Sequence, residues 1–349
     1  MKEIIIETKE INYPVFIGSN ILHLLNSYLP QDADCLIITD QNVGQYHLNQ
    51  LLKIINNPYT VYTLSEKPEE QKTLADYQNL LNLAIEKQFK RKLCVLAFGG
   101  GAVGDFAGFF AATYKRGVLF FQIPTTLLAH DSSVGGKVAL NHGKVKNVIG
   151  AFYQPKGVFY DISLLKTLNH REKLSGFAEI IKHDLLNTGE LIKNKRSLDE
   201  IFQDEDTLIN TLNQAILTKY HYIKDDMEDT LGVRQFLNLG HTLGHALEII
   251  YGYSHGEAIL FGLCFSLSIE ELKWSIELFQ LFKSWGYFKE IPEFDLELII
   301  EVMLNDKKNE DDFIKFISLK DFGKPYEIKL TKNQFMNHFN QFKKGVVEA

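Results

Sequence analysis

The 349-residue sequence contains only three cysteines, Cys35, Cys94 and Cys264, and they are widely spaced with no CxxC pair. Two of them lie inside apolar runs, LCVLAF and FGLCFS. This pattern argues against a disulfide scaffold and favours buried, reduced thiols in a cytoplasmic protein. With so few cysteines, a chain of this length must be stabilised by a large apolar core.

Long apolar runs and an excess of positive charge are also missing. A membrane helix needs about 18 uncharged apolar residues, and the nearest stretch, residues 102–123, is interrupted by Lys115 and Arg116. The N-terminal MKEIIIETKE carries acids that a secretory signal peptide would not have. The net charge of −7 argues against a nucleic-acid partner. We therefore expect a cytoplasmic enzyme with neither a membrane nor a nucleic acid as partner.

The pattern of apolar residues along the sequence changes near residue 165. Before it, short apolar runs alternate with amphipathic stretches such as Thr73–Phe89, which is typical of an α/β domain with parallel strands. The predicted strands are Val15–Ile17, Cys35–Thr39, Thr60–Leu64, Leu93–Phe98 and Leu119–Pro124. After it, the spacing is mostly helical, with one short strand at Phe313–Leu319 and a closing helix over 331–343. We predict an α/β domain over 1–165 and a helical domain over 166–349.

A glycine-rich turn follows the predicted strand Leu93–Phe98. Gly99, Gly101 and Gly104 satisfy G-x-G-x-x-G ahead of a helix, a context in which the backbone can approach a pyrophosphate at the helix N-terminus. The acidic residue that a standard Rossmann dehydrogenase carries about 20 positions later is missing. A dinucleotide site is predicted, with Asp40 as a substitute ribose ligand and with Asp105 as either a ligand or a helix cap.

A cluster of basic and amide side chains lies between this turn and the helical half. Its members fall in or next to the segment 125–146: Lys137, Asn141, Lys144, Lys146 and Asn147. Such a density of side-chain donors predicts an anion site.

Histidines are concentrated in FLNLGHTLGHALEIIYGYSHGEA. His241 and His245, spaced i and i+4, share one helix face, and His255 follows within the same segment. Glu179, in GFAEIIKH, is a carboxylate on an otherwise apolar helical face, where an unpaired charge would be costly. The pattern predicts a divalent-metal site, and spacing alone pairs His241 with His245.

Taken together, these stretches resemble the 3-dehydroquinate synthases of the sugar-phosphate cyclase superfamily. The matching segments run in family order over residues 67–309: PEEQKT, GGGAVGDFAGFFAATYKRG, PTTLLAHDSSVGGK, KNVIGAFYQP, LKTL, REKLSGFAEIIKH, GVRQFLNLGHTLGHALE, HGEAI and NDKKN. The resemblance implies a Rossmann-like NAD domain, an all-α domain, an active site in the cleft between them and a homodimer. It also implies a lyase that converts 3-deoxy-D-arabino-heptulosonate 7-phosphate to 3-dehydroquinate and phosphate in the shikimate pathway, using NAD and one zinc or cobalt ion.

The resemblance assigns residues as well. Its metal ligands are Glu179, His241 and His255, which moves His245 to the substrate phosphate. Its NAD-binding positions are Asp40, Asn42, Glu69, Glu70, Gln71, Lys72, Gly100, Gly101, Ala102, Val103, Gly104, Asp105, Thr125, Thr126, Asp131, Lys137, Lys146, Leu164, Leu165, Lys166 and Thr167. Its substrate positions are Lys137, Lys146, Asn147, Lys182, Arg234, Asn238, His245 and Lys307, with Arg116 from the second subunit.

Three other functions remain open at this point. A different sugar-phosphate cyclase would use the same metal and NAD, but Arg234 and Asn238 favour a substrate with a carboxylate. A polyol dehydrogenase would share the architecture without the lysine cluster that holds phosphate. An inactive binding protein would have lost one of Glu179, His241 or His255, all of which are present.

Overall fold

The computed structural model describes residues 1–143, 145–227, 232–288, 291, 293–304 and 313–348. The chain forms two compact units. The first unit consists of Met1–Lys173 with Asp204–Glu228, and the second of Leu174–Gln203 with Asp229–Ala349.

The secondary structure of the described residues is as follows. The strands are β1 Lys2–Ile6, β2 Tyr13–Gly18, β3 Cys35–Asp40, β4 Tyr59–Leu64, β5 Cys94–Gly99, β6 Leu119–Pro124, β7 Lys137–His142, β8 Val145–Phe152, β9 Gly157–Asp161, β10 Ile314–Leu319 and β11 Pro325–Leu330. The α-helices are α1 Gln41–Leu52, α2 Pro68–Gln71, α3 Leu74–Glu86, α4 Gly101–Thr113, α5 Ala129–Ser132, α6 His170–Leu185, α7 Glu190–Lys193, α8 Leu198–Phe202, α9 Glu205–Ile223, α10 His241–Tyr251, α11 His255–Ser268, α12 Leu272–Ser284, α13 Leu296–Leu304 and α14 Lys332–Glu348. Short 3₁₀ turns lie at Leu22–Ser27, Tyr114–Arg116, Ile162–Thr167 and Arg234–Asn238.

The first unit is built on a seven-stranded sheet of order β1-β2-β9-β6-β5-β3-β4. Its strand pairs are parallel except for β1 with β2. All five predicted strands belong to this sheet, and the predicted α/β class is confirmed. The continuous apolar sequences of β3 and β5 are explained by burial on both faces of the sheet, as expected for parallel strands covered by helices.

Alternate residues of β3 face two different cores. Leu36 and Ile38 pack into an apolar cluster with residues of α3 and α4, whereas Cys35 and Ile37 pack into a second cluster on the opposite face with Leu51 of α1. Cys94 lies opposite Cys35 in the strand register, and Cys35, Cys94 and Cys264 are buried free thiols, in agreement with the sequence pattern.

Helix α9 belongs to the first unit, although its sequence lies inside the segment that we predicted to be the helical domain. It packs against β1 and β2 with a buried stripe that includes Leu208, Leu212 and Ile216. Tyr220 Oη also lies 3.1 Å from the backbone nitrogen of Glu7. The predicted boundary at residue 165 therefore differs from the structural division. The physical reason is that an amphipathic stripe predicts a helix without specifying which surface it covers.

The second unit is a helical assembly that also contains the two-stranded sheet β10–β11. The predicted strand and closing helix correspond to β10 and α14. Helix α11 lies at its centre, where its apolar residues pack against α12, α14 and β10. For example, the rings of Phe261 and Phe342 have centroids 5.5 Å apart, and those of Phe265 and Phe316 are 5.3 Å apart. Among the described residues, no helix is long and apolar enough to cross a membrane.

Helices α10 and α11 approach each other unusually closely because glycines line their contact. A Cβ added to Gly262 of α11 would lie 2.1 Å from the carbonyl oxygen of Gly240, and one added to Gly244 of α10 would lie 2.9 Å from the carbonyl oxygen of Ala258. Gly240, with φ of 81°, is the residue before α10. This close packing fixes the positions of the histidines at the first residue of each helix, His241 and His255.

Candidate functional site

Three side chains from separate elements of the second unit converge on one point. Glu179 lies in α6, while His241 and His255 begin α10 and α11. Glu179 Oε1 is 3.2 Å from His255 Nε2 and 3.5 Å from His241 Nε2, and one donor atom from each residue lies within 4.8 Å of the other two. Glu179 is buried, and both histidines are half-buried. The structure thus brings together the carboxylate and two imidazoles that the family resemblance implies.

This donor arrangement fits a divalent metal. Zinc binds imidazole and carboxylate ligands at about 2.0–2.1 Å in tetrahedral geometry, which places neighbouring donors about 3.3 Å apart. The observed separations of 3.2 and 3.5 Å bracket that value. Three protein ligands also leave the fourth position for a substrate, as in catalytic rather than structural zinc sites.

The other ring nitrogen of each histidine has its own acceptor. His241 Nδ1 lies 3.1 Å from the carbonyl oxygen of Leu239, and His255 Nδ1 lies 3.4 Å from Glu248 Oε2. A proton on each Nδ1 would leave both Nε2 lone pairs directed towards Glu179, the orientation that metal binding requires. Glu248 was not among the residues predicted from the sequence, although Glu248 follows His241 by seven residues and therefore lies on the same face of the helix.

Lys182 is one turn after Glu179 on α6. Its Nζ contacts Glu179 Oε2, and both side chains are almost completely buried. Burial and the charge of Lys182 hold the pKa of His241 well below its usual range. Burial also opposes a charge on His255, but its contacts with Glu179 and Glu248 outweigh this and raise its pKa to about 10. In the metal-free site at neutral pH, His241 is therefore neutral and His255 is charged.

The structure differs from the pairing that spacing alone predicts for His241 and His245. Their rings are perpendicular, at 86°, with centroids 5.1 Å apart. In the converging set, the second imidazole is that of His255. The i, i+4 rule places two side chains on one face, whereas the residue that lies 3.2 Å from the Glu179 carboxylate here, His255, comes from another helix.

The remaining predicted residues of the second unit lie next to this helix pair or outside the described residues. Arg234 and Asn238 are the ends of the 3₁₀ turn that precedes α10, and the Arg234 side chain is buried. Lys307 lies outside the described residues.

In the first unit, the predicted dinucleotide turn joins β5 to α4. Strand β3 is followed in the chain by β4 on one side of the sheet, and β5 by β6 on the other side, so the strand order reverses between β3 and β5. Ligands of open α/β sheets bind at the carboxyl ends of strands at such a point. These ends carry Asp40, the last residue of β3, and Gly99 to Gly101, which begin at the last residue of β5.

The geometry of this turn fits a dinucleotide phosphate. Gly100 is the residue before α4 and offers no side-chain cap, so the first N–H groups of the helix are available to an anion. A Cβ on Gly100 would lie 3.0 Å from Thr126 Cγ2. A larger residue at this position would therefore crowd Thr126. Asp40 caps α1 by accepting a hydrogen bond from Val43 N at 3.0 Å, and burial raises the pKa of its carboxyl.

Asp105 is not the residue that caps α4. It lies one turn inside α4, where its Oδ2 is 2.8 Å from Lys72 Nζ. Lys72 Nζ also donates to Asn147 Oδ1 at 2.6 Å and lies 3.3 Å from Glu69 Oε2. Burial raises the pKa of Asp105 despite the neighbouring charge of Lys72. The predicted NAD residues Glu69, Lys72 and Asp105 thus form one polar network with the predicted substrate residue Asn147.

The other predicted residues of the first unit are dispersed along its loops and hairpin. Lys137 and Lys146 are exposed on β7 and β8, and Arg116 is exposed at φ of 65° at the end of the 3₁₀ turn after α4. The resemblance places a family lysine at Lys219, although the segment that follows is one residue longer than usual, and the buried Lys219 lies 3.1 Å from Asp131 Oδ2. Four other predicted NAD residues form hydrogen bonds: Asn42 donates to Glu66 O, Gln71 accepts from Ser65 N, Thr125 N donates to Gly99 O, and the Thr167 hydroxyl is bonded to His47. Two form ion pairs, Glu70 with Lys67 and Lys166 with Glu205. Leu164 and Leu165 are buried.

The chain matches a known family over most of its length. Residues 62–175 match the family described as the 3-dehydroquinate synthase N-terminal domain, and residues 176–309 match the corresponding C-terminal domain. The chain is 38% identical to the 3-dehydroquinate synthase of Bacillus pumilus, with 99% of each chain covered. It is 39% identical to that of Listeria welshimeri, with 94% of each covered.

A solved structure is similar over almost the whole chain. It is 2-deoxy-scyllo-inosose synthase in complex with carbaglucose-6-phosphate, NAD⁺ and Co²⁺, with a TM-score of 0.86 and 25% identity over 97% of this chain and 99% of that one. In that relative, a sugar-phosphate analogue, NAD⁺ and a divalent metal are bound to the same fold.

Proposed function

This chain belongs to the 3-dehydroquinate synthase family, and on that premise we propose that it converts 3-deoxy-D-arabino-heptulosonate 7-phosphate to 3-dehydroquinate and phosphate. The observation that carries the proposal is the convergence of Glu179, His241 and His255 in a chain that matches the family over both of its domains. In this reaction the chain is a carbon–oxygen lyase of the shikimate pathway.

Glu179, His241 and His255 would hold the divalent metal, zinc or cobalt. When bound there, the metal supplies a Lewis acid for the hydroxyl and carbonyl oxygens of the substrate. Glu179 is suited to one-oxygen ligation because its Oε1 lies towards the histidines while its Oε2 contacts Lys182. The ammonium of Lys182 compensates part of the buried negative charge of Glu179. Following the family resemblance, Lys182 is also proposed to orient the substrate.

Asp40, Gly100 and Gly101 would hold NAD at the switch point of the sheet, with Lys72 and Asp105 supporting the turn. NAD bound there would supply a reversible hydride acceptor for the C5 hydroxyl of the substrate, with no net consumption of NAD. The N-terminus of α4 favours the pyrophosphate through its free N–H groups and its positive dipole end. The NAD⁺ in the similar inosose synthase supports this assignment.

Lys146, Asn147 and His245 are proposed to hold the substrate phosphate, together with Arg116 from the second subunit of a homodimer. Charge-assisted hydrogen bonds from such donors stabilise a dianion more strongly than neutral ones. Once C5 is a ketone, the C6 proton is acidic, and an oxygen of the phosphate group can take it as the phosphate leaves. These residues therefore need to orient the leaving group rather than supply a separate base.

Arg234 and Asn238 are proposed to bind the substrate carboxylate. The planar guanidinium of Arg234 can donate two parallel hydrogen bonds to a carboxylate, and its burial strengthens such a pair. Lys137 and Lys307 complete the proposed substrate residues. Ring opening and aldol closure then depend mainly on orientation of the bound intermediate. We further propose a cytoplasmic location for the homodimer.

The deciding experiment measures phosphate release from the heptulosonate phosphate by zinc-loaded protein with substoichiometric NAD, while NADH absorbance is followed. We expect many phosphates per NAD without accumulation of NADH, and no release by the Glu179→Gln variant. Accumulation of NADH without phosphate would identify a dehydrogenase instead. Faster phosphate release from a sugar phosphate without a carboxylate would identify a different cyclase.

A further inference from the structure

Glu248 contacts the side of His255 that lies away from Glu179. Its Oε2 is 3.4 Å from His255 Nδ1, while His255 Nε2 is 3.2 Å from Glu179 Oε1. The imidazole is thus held between two carboxylates from two different helices, α6 and α10. A neutral imidazole can offer Nε2 to a metal only when its proton is on Nδ1, and the Nδ1 proton then needs an acceptor.

The two histidines obtain this acceptor in different ways. For His241 it is the carbonyl oxygen of Leu239, which the backbone holds in place. For His255 it is a side chain, Glu248, which carries a charge and can be replaced. A carboxylate in this position makes an imidazole a more basic ligand as well as fixing its ring orientation.

Helix α10 therefore carries the proposed ligand His241 and also Glu248, the residue that contacts the second proposed histidine ligand, His255 of α11. Glu248 follows His241 by two helical turns, and Gly244 between them allows close approach to α11. The spacing of α10 and α11 sets the separation of the His241 and His255 rings, whose centroids are 5.9 Å apart, and the distance from Glu248 to His255 at the same time.

We propose that Glu248 is a positioning residue for the metal site: it fixes the Nδ1–H form and the ring orientation of His255. This inference rests on the metal site of the proposed function. A purely structural Glu248, which only pairs with a charged His255 in the metal-free protein, would affect stability but not the intrinsic affinity for metal.

The test compares Zn²⁺ affinities measured by competition with a chromophoric chelator. We expect Glu248→Ala to weaken binding by about 10- to 100-fold, the usual effect of removing such a partner. Glu248→Gln retains an oxygen acceptor and should recover part of that loss. Glu277→Gln, the same neutralisation at an exposed position of α12, should leave the affinity unchanged. The absorption spectrum of bound Co²⁺ gives a second readout, because a rotated His255 changes the ligand field.

The outcomes separate this inference from the proposed metal site. If His255→Ala loses Zn²⁺ and Glu248→Ala binds it within twofold of the wild type, the positioning role is wrong and the site remains. If His255→Ala also binds Zn²⁺ normally, the metal site itself is wrong. Circular dichroism identifies a variant that has not folded, in which case Glu248→Gln decides the question.

Discussion

Lys72 Nζ lies 2.8 Å from Asp105 Oδ2 and links the short helix α2 to the first turns of α4. The same ammonium donates to Asn147 on β8, and its side chain is almost inaccessible to solvent. One buried lysine thus connects the proposed dinucleotide turn with a proposed phosphate-binding residue. Its contribution should be measurable both as stability and as ligand affinity.

Lys72→Met should lower the free energy of unfolding by about 3 kcal/mol, because it leaves the Asp105 carboxylate, whose side chain is only 20% exposed, without its cation. Urea unfolding measures this loss, and fluorescence titration with NADH should show weaker binding. Lys67→Met is the matched control, since Lys67 forms an exposed pair with Glu70 at 3.1 Å and such pairs contribute about 1 kcal/mol or less. Equal losses for the two variants would contradict a special role for Lys72.

Zinc binding should become tighter as the pH rises from 7 to 9. The pKa of His255 in the metal-free protein is about 10, so at these pH values a proton must leave Nε2 before the metal can bind. Competition between one proton and the metal predicts a tightening of about tenfold per pH unit. Calorimetry in buffers of different ionisation enthalpy should detect a released proton, and a pH-independent affinity with no proton release would contradict this prediction.

The stability of the metal-free protein should depend on pH in the opposite sense. The pKa of His255 is raised from its ordinary value of 6.5 to about 10, so its contribution to stability is fully present below pH 6.5 and is lost as the pH rises through 10. The difference in unfolding free energy between the wild type and His255→Gln, with a chelator present, should therefore shrink over this range. A constant difference would show that His255 is not charged in the folded metal-free state.

His241→Ala and His245→Ala should have different effects on metal content. The His241 variant removes one of the three converging donors and should lose zinc on dialysis. The His245 variant should retain zinc while its Michaelis constant for the phosphorylated substrate rises. Elemental analysis of the dialysed proteins measures the first effect and steady-state kinetics the second. Loss of zinc from the His245 variant would favour the pairing that spacing alone predicts.

Gly262→Ala should disturb the metal site from a distance. The new methyl group would lie 2.1 Å from the carbonyl oxygen of Gly240, so α10 and α11 must separate. We expect a loss of about 1–3 kcal/mol in stability and weaker zinc binding. Gly44→Ala on α1 is the control, because its methyl group would meet Thr39 Cγ2 at an ordinary 3.9 Å. Thermal unfolding and the chelator competition report the two effects.

The sequence predicted the parts of the structure that depend on local pattern. Apolar runs identified the central strands because parallel strands such as β3 and β5 are buried on both faces. The glycine turn after β5 was recognisable from its G-x-G-x-x-G spacing, and its close contacts favour glycine, since a Cβ on Gly99 would lie 2.6 Å from Val103 Cβ.

The parts that depended on contacts between distant segments were not predictable in this way. The apolar residues of α9 predicted a helix but did not show that it covers β1 and β2. The sequence likewise did not show that Asp105 pairs with Lys72, 33 residues earlier. The family resemblance, rather than spacing, supplied His255 in place of His245. Glu248 was missed because a glutamate on a helix face is ordinary until the neighbouring helix places an imidazole beside it.

The return of α9 to the first unit has a consequence for synthesis on the ribosome. Glu7 and Tyr220 are hydrogen-bonded although they are 213 residues apart in the chain. The helix that covers the β1 edge of the sheet is therefore complete only after more than 220 residues have been synthesised. At elongation rates of about 5–20 residues per second this takes about 10–40 s. The face of β1 and β2 that α9 covers in the folded protein therefore lacks its covering helix until this late stage, and the first unit is completed only after most of the chain has been made.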